Sequence, residues 1–110
     1  MIEKTVLDYL NNELSVPVYM EKPADPPAEY VLIEKTGGGM ENCIFTATLA
    51  VQSIAASLYR AALLNDTVID AMLAIWKYQD ISRSHLNSNY NFTDTRTKEY
   101  RYQAVYDLVF

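Results

Sequence analysis

Residues 30–53, YVLIEKTGGGMENCIFTATLAVQS, contain two strand-forming segments and, between them, all three glycines of the chain. Residues 30–36 are rich in β-branched and aromatic residues, which favour strands. Residues 42–53 alternate between two sets, as a strand with one buried face does. Two such segments predict an antiparallel β-hairpin, joined by a loop of about five residues that carries glycines 37–39 at its tip. The set predicted to face a core is Cys43, Phe45, Ala47, Leu49 and Val51.

The residues before this hairpin predict a helix, a short strand and a stiff loop. Residues 1 to about 14 place apolar side chains at helical spacing, so an amphipathic helix is expected there. Pro17 ends that pattern, and VPVYM (residues 16–20) is typical of a short strand. Residues 21–29 contain three prolines, which predict an extended loop or a sheet edge rather than an inner strand.

After the hairpin the hydrophobic period becomes helical near Ser57, which is a suitable N-cap. Weaker helix formers at residues 65–67 allow either a bend or a break into two helices. The predicted apolar stripe of this helical region comprises Leu58, Ala61, Ala62, Leu64, Val68, Ala71, Met72, Ile75 and Trp76.

Two strands are predicted in the last thirty residues. From Ile81 the chain alternates again, with Leu86, Tyr90 and Phe92 expected on one face. TDTRTK (residues 93–98) predicts a turn. The final stretch, EYRYQAVYDLVF, is the most regular alternation in the chain, and its even-numbered residues from 100 to 110 are expected to share one face.

The resulting order, α-β-β-β-α-β-β, predicts an α+β fold: a mainly antiparallel sheet with two helices packed on one face. The length of 110 residues predicts one domain, residues 1–110. The net charge of −5 opposes docking on nucleic acid, whose binding depends on neutralised phosphates. No apolar run is long enough to span a bilayer, and the N-terminal residues do not have a signal-peptide pattern.

No reactive centre is predicted. The glycines precede a strand, whereas a phosphate-binding loop precedes a helix, so a nucleotide or other cofactor is not expected. Cys43 and His85 are the only cysteine and histidine; a thiol nucleophile with its base would have to be this pair, yet Cys43 is predicted to be buried and His85 to lie on the surface. One cysteine and one histidine are too few for a typical metal site. The chain is therefore not predicted to be an enzyme.

Nine tyrosines are an unusual excess in a chain of this length. Tyr100, Tyr102 and Tyr106 fall on one face of the predicted last strand. The favoured interpretation is a core-facing stripe whose hydroxyls reach its rim, and the alternative is a protein–protein contact surface.

Four stretches, which together cover nearly the whole chain, resemble one protein family. They are VPVYMEKPADPP, YVLIEKTGGG, ATLAVQSIAASLYRAALLNDTVIDAML and the alternating last strand. This family is the tail-terminator (tail-completion, neck) proteins of long-tailed phages and prophages of Gram-positive bacteria. The resemblance implies a structural subunit that closes into a ring, usually a hexamer, and can stay monomeric until it meets a template. The implied partners are copies of itself, the tail-tube protein and the head-completion protein, with DNA only as passing cargo. The implied location is the virion neck, and the host cytoplasm during assembly.

Under this resemblance, two flexible segments are candidates for ordering on assembly. The candidate contact residues are Gly37, Gly38, Gly39 and Met40 in the glycine segment, and Thr95, Arg96 and Lys98 in the predicted turn. Three alternatives stay open: a head-completion or connector protein of the same neck, a non-phage soluble adaptor, and a small hydrolase that uses Cys43 and His85.

Overall fold

The computed structural model describes all 110 residues and contains two α-helices and one five-stranded sheet. The helices are α1 (Ile2–Glu13) and α2 (Leu58–Leu73), and a short 3-10 turn (Ile75–Lys77) follows α2. The strands are β1 (Val18–Tyr19), β2 (Tyr30–Glu41), β3 (Ile44–Ala55), β4 (Arg83–Asn91) and β5 (Tyr100–Val109). This order confirms the α+β class and the predicted succession of elements.

The spatial order of the sheet is β1-β2-β3-β5-β4. All neighbouring strands are antiparallel except β1 and β2, which pair in parallel over two residues. Residues 21–29 link β1 to β2 and contain neither helix nor strand, as their prolines predicted. β2 therefore has a partner on its outer side only near its start, and β4 forms the opposite edge.

The hydrophobic core lies between the two helices and one face of the sheet. Alternate residues of β3 and β5 supply the sheet side of this core, because successive side chains of a strand point to opposite faces. The fully buried sheet residues include Leu49, Val51, Ala104, Tyr106 and Leu108. The core stripes of α1 and α2 cover them, so the predicted placement of both helices on one face is confirmed.

α2 begins as predicted and is continuous over 16 residues. The side chain of Ser57 accepts a hydrogen bond from the Arg60 amide, which makes it the N-cap. A break at residues 65–67 is not observed, because Asn65 is buried and its amide donates to Asn89 Oδ1 at 2.6 Å. Trp76, predicted on the core stripe, is instead half-exposed because the 3-10 turn changes the period after α2.

A bulge in β4 changes the faces predicted for its apolar residues. The register shifts between Leu86 and Ser88, so Leu86 lies opposite the core residue Tyr106. Tyr90 then lies opposite Gln103 and points to the other face, because a bulge adds one residue to one strand. The prediction that Leu86 and Tyr90 share a face is therefore wrong.

Candidate assembly surface

The helices leave β2 beyond Ile33 and the start of β3 exposed, and the turn that joins these two strands extends past the end of β5. Every residue from 34 to 46 is exposed, and we call this segment the arm. The two strands of the arm pair through Glu41 and Ile44, so the glycines lie inside β2 and not at the tip. The hairpin prediction is confirmed, whereas the predicted loop of about five residues, with glycines 37–39 at its tip, is replaced by a two-residue turn.

Asn42 and Cys43 form that turn. Both residues have left-handed backbone conformations, with φ of 51° and 63° respectively, as the turn of a tight two-residue hairpin requires. Cys43 is exposed at the end of the arm. The prediction that Cys43 faces the core is wrong because the arm carries it beyond the edge of the core.

Close packing inside the ribbon explains one of the three glycines. A Cβ added at Gly38 would lie 2.9 Å from the carbonyl oxygen of Thr46 and 3.1 Å from Lys35 Cε. Gly37 and Gly39 have more room, with the nearest atoms at 4.0 and 3.7 Å. The ladder shifts by one residue between Lys35 and Gly37, which is a β-bulge. Gly38 is therefore required by the geometry of the arm itself.

The helix-facing side of the arm is apolar near its tip. Met40 lies opposite Phe45, and Phe45 stacks on Phe110 with ring centroids 6.0 Å apart. Phe45 and Phe110 also exchange two backbone hydrogen bonds. Met40 and Phe45 remain 61% and 50% exposed. Together with Met1 they line a groove of about 480 Å³ between the arm and the start of α1.

The second predicted contact segment is the turn between β4 and β5. Asp94 and Glu99 bridge its ends, and Thr95, Arg96 and Lys98 are exposed between them. The Arg96 amide donates to the Asp94 carboxylate, and this hydrogen bond lowers the pKa of Asp94. The turn prediction is confirmed.

The structure places the two predicted contact segments at opposite ends of the sheet. The arm ends beyond the row of Val109, whereas the β4–β5 turn precedes Tyr100 at the other end of β5. The long axis of the molecule measures 44 Å. The seven candidate residues therefore form two separate surfaces, and one neighbouring molecule at one place cannot contact both.

An exposed stripe on α2, directly opposite the core stripe of that helix, was not predicted from the sequence. This stripe consists of Tyr59, Leu63, Asp66, Asp70 and Leu73, all of which are exposed. Their spacing keeps them within one narrow sector of a helix with 3.6 residues per turn. The same periodicity that located the core stripe could have located this one. We call it the outer stripe.

The sheet face away from the helices is polar and cross-linked by side chains. Thr48 and Asn87 both donate to the Asp107 carboxylate, at 3.1 and 2.9 Å. Gln52 donates to Gln103, which in turn donates to Tyr90. Cross-strand pairs of this kind are typical of the solvated face of an antiparallel sheet.

The thiol–imidazole pair required by the hydrolase alternative is not formed. Along the sheet, His85 of β4 lies opposite Asp107 of β5, and Asp107 lies opposite Thr48 of β3. Cys43 is five residues before Thr48 in the chain, at the far end of the arm. Five strand residues span about 16 Å, far beyond hydrogen-bond reach. The structure also contains no group of three or more histidine, cysteine, aspartate or glutamate side chains placed to hold a metal ion.

Comparison of the chain with protein-family models and with curated proteins finds no match in either case. No helix in the structure combines the length and the apolar character needed to cross a membrane. The structure is a small α+β fold with the exposed arm at one end of its sheet and the β4–β5 turn at the other.

Proposed function

We propose that this chain is a structural, non-enzymatic subunit of a phage neck, which closes into a ring, caps the tail tube and joins the tail to the head. The resemblance described above supplies the ring, usually a hexamer, and the partners: the tail-tube protein and the head-completion protein. On this proposal the chain acts in the virion neck, after assembly in the host cytoplasm.

The observation that carries the proposal is the exposed arm. Only the tip of the arm is two-stranded, because Phe45 and Thr46 already pair with β5, and the glycines give the β2 side of the arm few side chains to pack. Met40, Ile44 and Phe45 on the arm are each at least half-exposed. Covering the exposed parts of three such side chains contributes on the order of 3 kcal/mol. A partner that covers the arm would account for these exposed apolar side chains.

Two further features support a subunit that works between other molecules. The arm and the β4–β5 turn lie at opposite ends of a 44 Å molecule, which suits contacts with one partner on each side. The net charge of −5 suits a ring through which DNA slides without sticking. A head-completion or connector protein of the same neck would use the same features and is the alternative function.

Negative-stain imaging of the gold-labelled protein mixed with tail tubes tests the proposal. The tubes are assembled from the tail-tube protein that the proposal expects the neighbouring genes to encode. Label at tube ends is the expected result, and label on heads alone would support the connector alternative. Metabolic genes as the only neighbours, with no tube or tape-measure gene, would contradict the proposal and favour a non-phage adaptor.

A further inference from the structure

We propose that the arm of one copy packs on the outer stripe of the next copy, with Lys35 facing the carboxylates of Asp66 and Asp70. This inference rests on the self-association in the proposed function and specifies the two surfaces that meet. The occupant of the groove beneath the arm is thus α2 of a second copy of this chain.

The outer stripe has the composition of a contact surface with an acidic centre. Asp66 lies seven residues from both Tyr59 and Leu73, so a carboxylate is flanked by an apolar side chain at each end. Neither Asp66 nor Asp70 forms an ion pair within the chain. The only basic residue of α2, Arg60, is engaged by Glu29 at 2.9 Å.

The helix-facing side of the arm presents one cation, Lys35, to this acidic stripe, and Glu3 of α1 is the one carboxylate that lines the same groove. Lys35 is exposed and forms no ion pair within the chain. It lies opposite Leu49, four residues along β3 from Phe45, a distance of about 13 Å. Asp66 lies about 10 Å along the helix from Tyr59 or from Leu73. Lys35 can therefore lie against Asp66 while the apolar pair of Met40 and Phe45 lies against one apolar end of the stripe.

The contact must be intermolecular because a copy cannot reach its own stripe. The core residues of α2, such as Val68 and Met72, face the sheet, so the outer stripe on the opposite side of the helix faces away from it. The arm continues the strands of that same sheet. A contact between two different patches is heterologous, and repeating it generates a ring or a filament.

Pairing between sheet edges is the competing arrangement. The free edge of β2 is interrupted by the bulge between Lys35 and Gly37, and the edge strand β4 by the bulge between Leu86 and Ser88. Bulges disrupt the ladder and are a device that protects exposed edges from pairing. The arm-to-stripe contact needs no continuous edge and buries the apolar tip.

A charge-exchange experiment tests the contact. One variant carries Lys35→Glu, and a second carries Asp66→Lys together with Asp70→Lys. Each variant alone juxtaposes like charges and is expected to associate at least about tenfold more weakly than the unmodified chain. In an equimolar mixture, the glutamate on the arm of the first variant can meet the lysines on the stripe of the second. The native Lys35 of the second variant can likewise meet the native aspartates of the first. The mixture is therefore expected to regain association, with the two variants alternating.

The measurement is light scattering under reducing conditions at concentrations up to about 1 mM, where even weak contacts are populated. The matched control is Glu34→Lys, one residue away on the opposite face of the arm, which is expected to associate like the unmodified chain. Thermal unfolding by circular dichroism checks that all variants fold. Unimpaired association of either charge variant alone, or no recovery in the mixture, would overturn the contact.

A photo-crosslinker at position 40 separates failure of this contact from failure of the proposed function. Crosslinks to residues 59–73 of another copy are expected. Crosslinks to residues 83–91, or the absence of any crosslink between copies when tubes are present, would overturn the contact. End-capping of tubes is read independently. Association through the stripe without any binding to tubes would instead overturn the proposed function and leave the contact standing.

Discussion

Two buried tyrosines of the core differ in a single hydrogen bond. The Tyr9 hydroxyl donates to the Ala71 carbonyl at 2.7 Å and so ties α1 to α2. The Tyr106 hydroxyl is fully buried and has no hydrogen-bond partner in the protein. Burial raises the pKa of both phenols, because the charged form would lose its hydration. The Tyr9 hydroxyl is therefore expected to stabilise the fold, whereas the unpaired Tyr106 hydroxyl is not.

Removing each hydroxyl should show this difference in stability. We expect Tyr9→Phe to lower the free energy of unfolding by about 1 kcal/mol, the usual net value of a lost hydrogen bond. Tyr106→Phe should leave it unchanged or raise it by up to about 1 kcal/mol, because it removes an unpaired buried polar group. Urea unfolding of both variants measures this. A larger loss for Tyr106→Phe than for Tyr9→Phe would contradict the assignment.

At the scale of elements, the arm depends on Gly38. We expect Gly38→Ala to destabilise the ribbon by about 1–3 kcal/mol, because the new Cβ would press on a backbone carbonyl that cannot move away freely. Gly37→Ala is the matched control, since its Cβ would make only ordinary contact with Thr48. Hydrogen exchange of residues 34–48 should accelerate in the Gly38 variant alone, while core amides stay protected. Equal exchange in both variants would contradict this account.

The same element shows how far the sequence could predict the structure. Alternation in residues 42–53 predicted β3 and the core set Ala47, Leu49 and Val51, because a half-buried strand imposes a period of two. The turn could not be located, because glycines usually mark turns and here they lie in a strand without positive φ. Cys43 is an unusual residue for a left-handed position, so the residue type gave no turn signal there.

The candidate contact surface was predictable only in part. Met40 and the glycines were identified as contact candidates, and they do lie on an exposed segment. The bulges near Thr36 and Asn87 have no strong sequence signal, so the faces of the residues beyond them could not be assigned. The groove depends on how α1 and the arm approach each other in space, which periodicity within one element does not describe.

At the scale of the whole molecule, the central claim is that the chain acts by contact alone, with copies of itself and with the end of a tube. On the proposed function, assembly would account for three features of the molecule. These are its exposed apolar groups, the charges on the arm and outer stripe that form no ion pair within the chain, and the separation of its two candidate contact segments. On the proposed function, the net charge of −5 would disfavour binding of the free chain to nucleic acid before it meets a tube end.

Tube elongation tests this claim most directly. Tubes are incubated with the chain, fresh tail-tube protein is added, and the distribution of tube lengths is measured by negative-stain imaging. We predict that capped tubes keep their initial length while uncapped tubes grow. Continued growth at the same rate in the presence of excess folded chain would contradict the account.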